Sequence, residues 1–179
     1  ADSVSVDAEI AEKHAQHSVA AQALYNAAFA SMEMKKYEDG LTYSEQFIDQ
    51  FESDSFLPDV KYVRGECFLL SHNYIRAEFV FKDLVDAHAK EDSIQIWQVR
   101  YGLTLYLQDK YAATIEFLNT VTADLKQPST QAEASFLIGA SEFYQKNFAK
   151  AVTSLEKATS FGKDLKPIDE GLILSLIHI

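Results

Sequence analysis

KKYEDGLTYSEQF, residues 35–47, comes back three times along the chain. The later versions are HNYIRAEFVFKDL (72–84), DKYAATIEFLNTV (109–121) and KNFAKAVTSLEKA (146–158). The third residue is aromatic in each: Tyr37, Tyr74, Tyr111 and Phe148, 37 residues apart every time. A fixed period between about 20 and 50 residues marks a repeat architecture, in which each unit buries its apolar face against its neighbours.

Two further positions keep the same phase. Nine residues before each aromatic stand Ala28, Gly65, Gly102 and Gly139. Three residues after it stand Gly40, Ala77, Thr114 and Ala151. Small, aromatic, small has a physical meaning if each unit is a pair of antiparallel helices, A and B. The small residues let the helix axes approach within about 8–10 Å. The aromatic then fills the joint where helix B opens, and its burial is worth about 1.5–3 kcal/mol.

The residues between these markers carry helical periodicity. Tyr74, Ala77, Phe81 and Leu84 follow steps of three and four, as do Phe136, Gly139 and Phe143. The A-to-B turns are short, and Pro58, Pro128 and Pro167 all fall in the B-to-A connections, near helix starts. Asp92, Ser93, Ser129 and Thr130 are expected helix caps. The pattern predicts helices over 7–34, 37–52, 57–71, 74–89, 93–108, 111–125, 130–145 and 148–161, with a last one starting near 168.

With Ala28/Tyr37/Gly40, Gly65/Tyr74/Ala77, Gly102/Tyr111/Thr114 and Gly139/Phe148/Ala151 in phase, the sequence resembles the tetratricopeptide repeat family over residues 20–161. The family's usual unit is three residues shorter, and the extra residues here lie in the B-to-A connection. The longer unit and a connection such as QFESDSFLPDVKYVRGECF resemble the bacterial envelope branch, which includes the outer-membrane assembly lipoprotein and the Tol-binding cell-division coordinator. Ala1 stands where a lipidated member has cysteine, so a lipid anchor is not expected. The resemblance implies an all-α, right-handed superhelical solenoid of four repeats, with residues 1–19 as an N-terminal extension and 162–179 as an incomplete fifth repeat or a capping helix. Residues 174–179, LSLIHI, equal the translation of the transposon-end adapter CTGTCTCTTATACACATC, and an adapter origin for these six is the expectation.

Composition narrows the function. A net charge of −11 would repel a phosphate backbone, so nucleic acid is not an expected partner. No apolar run reaches the length of a membrane span. The single cysteine, Cys67, excludes an internal disulfide. A start such as ADSVSV fits a removed signal peptide, giving a periplasmic or extracellular location as the expectation, with the cytoplasm as the alternative.

No phosphate-binding glycine loop and no Cys/His set with zinc spacing occurs. His14 and His17 share a helix face, but two histidines make a poor metal site. The acidic groups lack calcium-loop spacing. The expectation is therefore no enzyme, no metal, no cofactor and no small-molecule substrate. The family resemblance places partner binding on the concave face of the A helices. The chaperone-type carboxylate clamp is missing there, apart from Asn26. The expected groove residues are Tyr25, Phe29, Tyr62, Glu66, Arg100, Tyr106, Phe136 and Tyr144. Two roles follow: a scaffold that captures a peptide or partner protein, or a structural protein that joins itself head to tail into an extracellular filament.

Overall fold

A computed structural model describes residues 2–88 and 91–161, with side chains from residue 17 onward. Among these, every regular element is a helix. In order they are α1 (Asp2–Glu33), α2 (Tyr37–Gln50), α3 (Leu57–Leu70), α4 (Tyr74–Ala87), α5 (Ile94–Tyr106), α6 (Tyr111–Val121), α7 (Pro128–Tyr144) and α8 (Phe148–Ser160). The odd helices are the A helices and the even ones the B helices of four pairs. The helix expected near 168 lies outside the described residues. The chain divides into two compact units, Ala1–His88 with α1–α4 and Ala89–Ile179 with α5–α8.

Every A helix ends in the same way. Lys35, His72, Asp109 and Lys146 adopt left-handed backbone, with φ of 60°, 61°, 59° and 65°. The next amide reaches back five residues: Lys36 N to Ser31 O, Asn73 N to Phe68 O, Lys110 N to Leu105 O and Asn147 N to Glu142 O. The left-handed residue's own amide donates to Met32, Leu69, Tyr106 or Phe143. This is a Schellman stop, which satisfies the last carbonyls of helix A and sends the chain into helix B.

The helix bounds differ from expectation in places: α1 begins at Asp2 rather than at residue 7, and α6 closes at Val121 rather than at 125. α7 begins at Pro128, two residues before the expected start, because proline's fixed φ suits the first helical position. Ser129 and Thr130 therefore lie inside the helix rather than capping it. Ser93 is the N-cap of α5 but makes no side-chain capping bond.

In the first unit, α1, α2 and α3 close on one core. Ala21, Phe47, Phe51 and Val60 pack together with Leu24, Tyr25, Ile48, Phe56 and Leu57 around them. Below lie Ala28, Val63 and Cys67, flanked by Met32, Tyr37 and Leu41. Tyr37 thus sits in the joint between α1, α2 and α3, as the repeat pattern requires. In α4, Ala77, Phe81 and Leu84 are fully buried. The small position of α3, α5 and α7 receives a side chain 16 residues further on. A Cβ built at Gly65 would meet the Phe81 ring at 2.7 Å; at Gly102 it would meet Leu118, and at Gly139 Leu155.

In the second unit Trp97, Leu103, Leu118, Leu125 and Leu137 form the interior. Arg100 and Glu133 bridge α5 and α7 at 2.7 Å. Both ends of this pair are more than three-quarters buried, so it fixes the approach of two successive A helices rather than decorating the surface.

Candidate functional site

The A helices present a stripe of positions one turn apart, which in each repeat runs toward the Schellman stop. In the first unit Tyr25 is half-buried and stacks on Phe56, centroids 5.2 Å apart and planes 9° from parallel. Its neighbour Phe29, 6.3 Å away, keeps 43% of its surface exposed. Burial, and then the Asp59 carboxylate, raise the Tyr25 phenol above its ordinary pKa. Tyr62 is half-buried and leans on Phe81 at 6.1 Å. Glu66 is buried at 8% exposure and does not reach the open surface. Leu70 ends the stripe, exposed.

In the second unit Arg100 is held by Glu133. Phe136 is half-buried on α7. Tyr106 is buried, with its ring 5.6 Å from Tyr111 and 6.2 Å from Tyr144. Tyr111 and Tyr144 stack at 4.8 Å, 8° from parallel, and the Tyr111 hydroxyl donates to Asp109 Oδ1. Phe143 joins the group, edge-on to both Tyr144 and Phe148. Phe143, Tyr144 and Phe148 stay open to solvent.

The eight expected groove residues differ in exposure: Phe29 and Tyr144 are exposed, Tyr25, Tyr62, Arg100 and Phe136 are half-buried, and Glu66 and Tyr106 are buried within their own units. Leu70 and Ile96 are exposed members of the stripe that aromatic pattern alone passes over. Tyr111 enters the cluster from a B helix, where its role as a joint residue hid its contact with Tyr144.

The electrostatics of the tyrosine cluster lead to a prediction. Burial, and next the hydrogen bond to Asp109, push the Tyr111 phenol up to about 12. Burial first, then the phenols of Tyr144 and Tyr111, raise Tyr106 as well. A raised folded-state value means that native Tyr111 holds its proton where the unfolded phenol, near pH 10, has lost it. Its contribution to stability is complete below about pH 10 and is lost as pH rises through about 12. The melting temperature should therefore fall across that window, and fall less steeply in Tyr111→Phe. Identical slopes in the two proteins would rule out this linkage.

The other chemical candidates resolve as packing. Cys67 is fully buried, and its thiol is pushed up to about 12, first by burial and then by Glu66, so no thiolate is available near neutrality. The His17 ring packs edge-on against Phe51 at 4.5 Å. The His14 side chain is outside those described. Among the described residues, no group of three or more His, Cys, Asp or Glu is placed to hold a metal. No helix among them is long and apolar enough to cross a membrane.

A tetratricopeptide repeat family model matches residues 22–53, which are the C-terminal part of α1 together with α2 and its exit. Solved structures similar to the chain include MamA from residue 41 to its end, from Desulfovibrio magneticus RS-1, and the MamA RS-1 ArsTM double mutant. Each is 20% identical, covers 79% of this chain and 75% of its own, and superposes with a TM-score of 0.67. At that identity the likeness shows the fold: an all-helical array of adjacent pairs like that of MamA. No curated protein matches the sequence.

Proposed function

We propose that the protein is a non-catalytic protein–protein interaction scaffold, which holds a peptide or partner protein against the exposed stripe of its A helices. One observation carries this reading. Along that stripe, Phe29 and Leu70 in the first unit and Ile96, Phe143 and Tyr144 in the second keep 36–55% of their surface in solvent, although the same helices bury their B-facing positions. Of these, Leu70 and Tyr144 share a register position, and open apolar and aromatic side chains are the groups that anchor protein interfaces. The tetratricopeptide match over the first helix pair supports the same class of role.

Photo-crosslinking from position 29 or 144 in an extract of the source organism would identify the partner. The purified partner should then bind at least about tenfold more weakly to Phe29→Ala or Tyr144→Ala, the size of effect expected of an interface anchor. Unchanged binding to both variants, with their folds intact, would exclude this surface. A place in the bacterial cell envelope is the finer part of the reading. It rests on the 37-residue unit and the long Phe51–Phe56 connection, and cell fractionation tests it.

A second reading, head-to-tail self-assembly, is favoured by α8. Phe148 and Val152 are 56% and 55% exposed. Their counterparts in the first repeat, Tyr37 and Leu41, pack against the Val63 and Cys67 cluster from the following helix. A second copy could supply what α3 supplies there. Light scattering that shows a monomer at every concentration would end this idea.

A further inference from the structure

Glu142 breaks the rule of its own repeat. The positions 37, 74 and 111 residues earlier are Leu105, Phe68 and Ser31, all buried and none of them charged. Glu142 is buried as deeply, at 5% exposure. Its carboxylate is not required for the turn that follows, because the same Schellman bonds form after Leu105 and Phe68. A buried carboxylate costs free energy unless its oxygens are used. Oε2 accepts from Asn147 Nδ2 at 2.7 Å. Oε1 takes no hydrogen bond from any described residue. Glu142 lines an open cavity of about 480 Å³ in the second unit, with Ile138 beside it on α7, Asn119 on α6, and Ala149, Lys150 and Thr153 on α8. That volume is within the range of about 300–1,000 Å³ usual for ligand sites.

We propose that this cavity is a second binding site, separate from the A-helix stripe and independent of the scaffold reading, and that it takes an arginine side chain of a peptide segment. The carboxylate offers the cavity an acceptor, Oε1, for a planar, permanently charged donor, and such a charge-assisted hydrogen bond is stronger than a neutral one. Ile138 and Ala149 give the aliphatic stem an apolar surface, and the Asn119 amide and Thr153 hydroxyl supply further polar partners. Lys150, the cationic group at the rim, competes with the incoming guanidinium for the same carboxylate. It is exposed, so it can move aside.

The test is an amide-shift NMR titration of the full chain with Nα-acetylarginine methylamide and with its uncharged citrulline analogue. The arginine probe should give saturating shifts at Asn119, Ile138, Glu142 and 149–154, and citrulline should bind at least tenfold more weakly. E142Q keeps an acceptor for Asn147 and should lose the preference for arginine, while K150A should strengthen arginine binding. Equal responses to the two probes, no saturating shift at these amides, or undiminished arginine preference in E142Q would each overturn the site. Should E142Q lose its native spectrum, the comparison of the two probes on the unsubstituted protein decides by itself.

Discussion

Phe81→Ala is expected to lower the stability of the first unit by about 3–5 kcal/mol, the usual cost of emptying a buried phenylalanine site. The ring is fully buried on α4, and its edge lies where a Cβ of Gly65 would stand, 2.7–3.2 Å from it. Two features put the cost toward the upper end. The helices cannot collapse into the space, because Ala77 and Leu84 on the same face hold α4 at its distance. The glycine opposite has no side chain to relax into the gap. Hydrogen exchange of the α3 and α4 amides would show the loss directly, as a fall in the free energy of opening. Wild-type protection in the variant would mean that the ring is not the knob that holds this helix pair.

Leu118→Ala should cost the second unit about 2–5 kcal/mol on the same grounds, since Leu118 is fully buried on α6. It has a more specific consequence. A Cβ at Gly102 would fall 2.6 Å from Leu118 Cδ2 and 2.8 Å from Cγ, the branch point of a side chain with no free volume around it. Gly102→Ala alone should therefore destabilise, because overpacking costs about 1–3 kcal/mol while the helix gains only about 1 kcal/mol from replacing glycine. With Leu118 already shortened to alanine the clash is gone and the helical gain remains. In that background Gly102→Ala should stabilise by about 1 kcal/mol. Urea unfolding followed through Trp97, the chain's one tryptophan and buried in this unit, can read all four proteins of the cycle. The same sign for Gly102→Ala in both backgrounds would show that the glycine is not there for Leu118.

These two pairs also show how far the sequence carries the fold. Gly65 and Gly102 were visible in the sequence as small positions in phase, whereas the side chains that fill them, Phe81 and Leu118, were identified only by the structure. The helix ends were visible to within a few residues, although the stop signal was disguised. Lys35, His72, Asp109 and Lys146 occupy left-handed positions where glycine is usual. Their residue types say nothing; only their recurrence two residues before each aromatic does. α7 starts early because Pro128 suits the first turn, a local effect that the Ser129–Thr130 pair masked.

The candidate surface was less legible. Phe29 and Glu66 hold the same place in successive A helices, yet Phe29 is open and Glu66 is buried. Tyr106 and Phe143 likewise share a register position; one is buried beneath Tyr144 and Tyr111, and the other is more than half exposed. Glu142 could be read as one more acidic residue on a solvated helix until its burial was known.

The sequence alone determined the helix pairs and their register, and the boundaries only to within about five residues, because register depends on the spacing of small and aromatic residues along a helix of fixed pitch. Which side chains of the A-helix stripe remain open, and that Glu142 lines a cavity, was decided only by the tertiary structure. Exposure depends on the volume of side chains from other helices, such as Tyr144 over Tyr106, and no periodicity within a single helix encodes how large those neighbours are.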